Sequence, residues 1–143
     1  MHRYRKILVL LDLSGASTQV AEAARDMAQG TLAEIVALHI VEFIPVEPMG
    51  ETLMPSVQIQ ADLAVSTRER LANLTRSVGM ERTRCRVEIG NTKAQILRVA
   101  GEEAADLIVL GSRERHGLAI LVNFTEDTIL HASHCDVLAI RLK

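Results

Sequence analysis

The sequence predicts an open α/β fold, a parallel sheet with helices packed on both faces. Strand-length apolar runs alternate with helical periodicities along the whole chain, which calls for parallel strands joined by right-handed crossovers. Ile7–Leu11 and Leu107–Leu110 are continuous apolar runs, and Ile35–Ile40 is apolar but for His39, as expected of strands covered on both faces. The first two helical patterns stop at Gly30 and Gly79, residues suited to the left-handed turn that closes a helix.

The elements follow in order. After the first strand, Asp12-Leu13-Ser14-Gly15-Ala16-Ser17 is a turn rich in helix-capping residues. Val20, Ala21, Ala24, Met27 and Ala28 then recur at helical spacing. The second strand, Ile35–Ile40, leads into an irregular segment over Glu42–Ser56 that holds all 3 prolines. Such a length exceeds a simple connection and is typical of functional loops. A helix over Val57–Val78 carries Leu63, Leu71, Leu74 and Val78 as its apolar stripe. Cys85, Val87 and Ile89 alternate with Arg84, Arg86 and Glu88, so this strand has one charged face and sits at an edge. Thr92 opens a helix with Ile96, Leu97, Ala100 and Ala104 inward. The fourth strand, Leu107–Leu110, runs into a glycine turn at Gly111. A fourth helix is expected over Asn123–Ala132 and a fifth strand over Val137–Leu142.

With 143 residues the chain is one domain, large enough to bury a core without disulfide or metal. The 2 cysteines, Cys85 and Cys135, read as free, largely buried thiols of a reducing compartment. The net charge of -2 gives no field that would draw the protein to nucleic acid or an anionic membrane. Tyr4, Phe43 and Phe124 are too few aromatics for a base-stacking platform. No apolar stretch reaches the ~20 residues of a membrane span. The expected location is the cytoplasm. His131, His134 and Cys135 lack a fourth ligand, and Ser112 and His116 lack a supporting acid, so neither set reads as a metal or catalytic centre.

Ligands of open parallel sheets bind beyond the carboxyl ends of the strands, where the strand order reverses. The loops at 12–17 and 111–122 are therefore the candidate site. The fifth strand, Asp136-Val137-Leu138-Ala139-Ile140-Arg141-Leu142, is apolar for most of its length, and no later element covers it. Pairing with the same strand of a second copy would remove the exposed edge, so a homodimer is expected there.

Several blocks together resemble the universal stress protein family, in its bacterial A-type branch. They are Ile7–Ser14, Leu38-His39-Ile40-Val41, Gly111-Ser112-x-x-Arg115-His116-Gly117-Leu118-Ala119, Leu130-His131 and Cys135–Arg141. The resemblance spans the chain. It implies a Rossmann-like sheet of five strands in the order 3-2-1-4-5, dimers, and roles in stress resistance.

Nucleotide-binding members of that family carry Gly-x2-Gly, a spacer of eight or nine residues, then Gly-Ser/Thr. Glycines let backbone N–H groups close on phosphates, and the hydroxyl adds a donor. Gly111 matches the first glycine, with Ser112 and Arg113 after it, but Glu114 stands at the second. Asn123 or Phe124 stands at the third; with A-type spacing Phe124 takes the Ser position and Thr125 follows. Two like charges ~5 Å apart at an effective dielectric of ~20 cost about 3 kcal/mol, so Glu114 disfavours a triphosphate. Arg113 and Arg115 can offset part of this by pairing with Glu114 or a phosphate. By the same resemblance Asp12 faces the ribose or base and Val41 holds adenine through main-chain atoms, while Ser14 lies in the first loop. The residues also allow plainer readings: Asp12 as an acceptor for N–H groups at the first helix, and residues 111–122 as a surface loop. The expectation is a dimeric, non-catalytic stress-response adaptor for unidentified protein partners. It has no resident cofactor and at most weak AMP or ATP binding at a degraded site. The alternative is an ATP-binding switch or slow ATPase using the same pocket.

Overall fold

The computed structural model describes residues 4–42, 57–113, 129 and 131–142, and gives the backbone alone for residues 57–60 and 113. Its elements are β1 (Lys6–Leu10), α1 (Ser17–Ala28), β2 (Glu34–Glu42), α2 (Val57–Ser77), β3 (Arg84–Gly90), α3 (Thr92–Glu102), β4 (Leu107–Arg113) and β5 (Asp136–Leu142). The five strands form one parallel sheet in the order β3-β2-β1-β4-β5, as the alternation and the resemblance predict. Of the helix expected over 123–132, Ile129, His131 and Ala132 are described, and all three are helical.

Strand alternation divides the central runs between two faces. Ile7, Val9, Leu107 and Val109 pack with Val20, Ala21 and Ala24 of α1 and Leu71 of α2. Leu8, Ile108 and Leu110 face the other way and pack with Ile96 and Val99 of α3 and with Ile129. Ile7, Leu8 and Val9 are all fully buried, which places β1 at the centre of the molecule. Burial of side chains this size stabilises the fold by about 1.5–3 kcal/mol each. The outer strands differ: β3 is mostly half-buried, and β5 is half-buried or exposed until Leu142, which is buried.

Three helical positions depart from the sequence reading. Met27 is in phase with Val20 but is exposed in the last turn of α1, where Ala28 packs against the core instead. Leu63 is exposed as well: the buried row of α2 begins one turn later, at Thr67, and continues through Leu71 and Thr75, with Val78 just past the helix. Thr75 can be buried because its hydroxyl donates to the Ala72 carbonyl at 3.0 Å. Ala104 is not on the inner face of α3. It follows the helix in a left-handed turn (φ 53°), exposed, while the Ala105 N–H returns to the Ala100 carbonyl at 2.9 Å. The start of α3 is held by Asn91, whose side chain accepts from the Ala94 N–H at 2.9 Å. Both cysteines are free and only half-buried.

Candidate functional site

β1 stops short of its neighbours. Its pairing ends at Leu10↔Leu38 on one side and Val9↔Val109 on the other. β2 continues to Glu42 and β4 to Arg113. The carboxyl edge therefore has a notch above β1, walled by β2 and β4, at the point where the chain switches from one side of the sheet to the other. Asp12 and Ser14 lie at its base, Val41 is near the end of β2, and Gly111 and Ser112 are in β4. These five predicted site residues thus come from three adjacent strand ends. Arg113 closes β4 by its backbone. Glu114, Arg115, Asn123, Phe124 and Thr125 lie outside the described residues.

The loop after β1 is organised by Asp12. Its Oδ1 accepts the Ser14 N–H at 2.9 Å and the Ser17 hydroxyl at 2.8 Å. The Ser17 N–H donates to the Ser14 carbonyl at 3.0 Å. Ala16, the cap residue of α1, makes no side-chain cap, so Asp12 and Ser14 do the local ordering in its place. The plainer reading of Asp12 therefore holds locally: it serves an N–H before the helix and the hydroxyl of the first helical residue. Between these contacts Leu13 has φ 62°, a conformation unusual for a branched side chain.

Gly111 differs from the sequence reading. It is not a turn: β4 runs through it, paired Gly111↔Ile140, and its φ is not among the positive values. The need for glycine there is packing. A Cβ at 111 would lie 2.7 Å from Leu142 Cδ1 and 3.1 Å from Val20 Cγ2.

A residue to which the sequence assigns no role joins this site. The Nδ1 of His39, on β2, lies 2.7 Å from the Leu11 carbonyl, immediately before Asp12. Its signal was a single polar residue within the apolar run Ile35–Ile40.

Away from the notch, charged side chains cross-link β1, β2, β3 and α3. Glu103, just after α3, accepts from Arg84 at 3.0 Å and from Arg86 at 2.9 Å on one oxygen, and pairs with Arg84 through the other. Lys6 bridges Glu34 at 2.7 Å, and Arg98 reaches Glu88 at 3.1 Å. The Arg84 hydrogen bonds hold the Glu103 carboxyl below its usual range, with Arg86 adding to the effect against partial desolvation. For Glu88 burial works upward, but Arg86 and Arg98 outweigh it and the net shift is downward. A cavity of about 630 Å³ opens at the opposite, amino end of the sheet, between the end of α1 and the turn before β3. Its rim mixes Arg25 and Arg82 with Asp26, Glu34 and Glu81, so it selects no charge type. Parallel-sheet ligands favour the carboxyl edge, and the notch there is the stronger candidate. Among the described residues no three His, Cys, Asp or Glu side chains form a group that could hold a metal. No described helix is long and apolar enough to cross a membrane.

The profile of the universal stress protein family matches residues 3–141. The chain belongs to the universal stress protein family. Two relatives from Coxiella burnetii share its full length. Universal stress protein A homolog 1 is 33% identical over 100% of this chain and 99% of its own. Universal stress protein A homolog 2 is 30% identical with the same coverage. Among solved structures, a universal stress protein in complex with cAMP superposes with a TM-score of 0.74 at 18% identity, covering 97% of this chain and 98% of that one. At that identity the likeness supports the fold of this universal stress protein and nothing finer.

Proposed function

We propose that this universal stress protein is a homodimeric, non-catalytic stress-response adaptor of the cytoplasm. In this reading an adenine nucleotide occupies the notch above β1 weakly and modulates contacts with partner proteins. The observation that carries the reading is the convergence of Asp12, Ser14, Val41, Gly111 and Ser112 at the short end of β1. Glu114 and Phe124, at positions where nucleotide-binding relatives carry small residues, weaken the grip on a phosphate chain. A single phosphate meets less repulsion than three, so the ligand class is an adenine mononucleotide such as AMP. The related structure with cAMP is in keeping with a monophosphate in this fold. The partly apolar, partly exposed edge of β5 supports dimerisation through that strand. The alternative, an ATP-binding switch or slow ATPase, draws on Gly111-Ser112 and on the cations Arg113 and Arg115 beside them.

Mass spectrometry of nucleotides released from the purified protein, together with calorimetric titration of AMP and ATP, tests the reading. AMP is expected to bind with a Kd of about 10–500 μM, which is about 4.5–7 kcal/mol of binding free energy, and ATP more weakly than AMP. Absence of any adenine nucleotide binding at millimolar concentration removes the nucleotide from the proposal. Submicromolar ATP binding favours the alternative.

A further inference from the structure

We propose that His39 is a positioning residue of the candidate site, acting through the Leu11 carbonyl to hold the Asp12 loop in shape. The notch derives its role from the nucleotide reading above, and the part His39 plays at that site rests on it. The geometry begins with hydrogen-bond chemistry. A carbonyl oxygen only accepts, so the 2.7 Å contact between His39 Nδ1 and Leu11 O requires a proton on Nδ1. In the neutral ring this fixes the Nδ1–H tautomer and leaves Nε2 as the acceptor nitrogen.

The place of the contact gives it consequence. Leu11 is fully buried, and its N–H makes the rung to Leu38 at 2.9 Å. Past Leu11 the loop carries Leu13 at φ 62°, which relaxes unless its surroundings hold it. Anchors lie on both sides of Leu13. Downstream, Asp12 Oδ1 takes the Ser14 N–H and the Ser17 hydroxyl. Upstream, the His39 ring holds the carbonyl that precedes Asp12. Removing the ring donor leaves a buried carbonyl short of a partner and frees the near side of the turn. The Asp12 carboxylate, held by Ser14 and Ser17 on the far side of that turn, then loses its fixed position. The side chain thus reaches any ligand only through the backbone of β1 and its loop.

The test compares His39→Asn, His39→Gln and His39→Leu. The Asn amide nitrogen falls near the position of Nδ1, whereas the Gln amide falls near Nε2. A hydrogen-bonding role therefore predicts rescue by Asn alone. A space-filling role predicts the reverse, because Leu and Gln fill the volume better than Asn. Amide hydrogen exchange at Ser14 and Ser17 reads the loop without any ligand, and AMP titration reads the site. H39L and H39Q are expected to lower protection at both amides about five- to tenfold, with AMP affinity falling in parallel, while H39N stays within about twofold of wild type. Imidazole ¹⁵N NMR of the unaltered protein at neutral pH gives a check that no variant can spoil. The proposal expects a proton on Nδ1. The opposite tautomer, or equal protection in H39N and H39L, overturns it. If the unaltered protein binds no AMP yet the exchange pattern holds, the nucleotide reading fails and the loop-positioning role stands.

Discussion

Replacing Gly111 with Ala separates two meanings of that glycine. As a phosphate-loop residue it would be needed for ligand approach, and Ala would spare stability while lowering nucleotide affinity. The structure assigns it to packing instead. The added Cβ lies 2.7 Å from Leu142 Cδ1 and 3.1 Å from Val20 Cγ2. Val20 is β-branched on a helix and has little rotamer freedom. The terminal methyl of Leu142 can swing away, so the cost falls in the lower part of the overpacking range, about 1–2 kcal/mol. For a chain of this length that lowers Tm by about 5 °C. Urea unfolding and thermal melts of G111A measure it. Leu142→Val removes the closest atom, so G111A is expected to cost less in the L142V background than alone, a coupling between contacting residues. A G111A protein as stable as wild type, or a cost unchanged by L142V, refutes the packing argument.

Two further predictions concern the charged edge and the assembly. Glu103→Gln keeps the shape but loses the charge that joins Arg84 and Arg86, and is expected to destabilise by about 1–2 kcal/mol at neutral pH. The folded-state pKa of Glu103 lies below its ordinary value of 4.5. Its stabilising contribution is therefore complete above that value and is lost as pH falls through the folded-state pKa. The deficit of E103Q measured by urea unfolding is expected to shrink below about pH 4.5, and a deficit independent of pH contradicts the ion-pair assignment. Light scattering at micromolar concentration is expected to give the mass of a dimer; a monomeric mass removes β5 as a pairing edge.

Much of the fold was legible in the sequence because its signals are periodic. The doubly buried runs Ile7–Leu11 and Leu107–Leu110 could only be central strands, and the Arg84/Arg86/Glu88 alternation marked β3 as an edge. Where the reading failed, local chemistry misled it. Gly111-Ser112 has the composition of a turn, yet pairing with β5 carries β4 through both residues. Thr67 and Thr75 are absent from the apolar stripe read for α2, yet both are buried, and Thr75 satisfies its hydroxyl on its own helix. Around the candidate site, the local role of Asp12 as an acceptor before the first helix was legible. His39 was hidden because nothing in one strand announces a hydrogen bond to the end of another. The left-handed Leu13 was hidden because a leucine carries no turn signal.

The central claim is that this universal stress protein keeps the place of a nucleotide site while Glu114 and Phe124 weaken its hold on phosphates. Calorimetric titration of ATP into the unaltered protein and into the Glu114→Gly, Phe124→Ser double variant tests it most directly. The account predicts a gain of about tenfold to a hundredfold in ATP affinity for the double variant, the scale of one removed like-charge contact in a partly screened site. Equal affinities for the two proteins, or submicromolar ATP binding by the unaltered one, would contradict it.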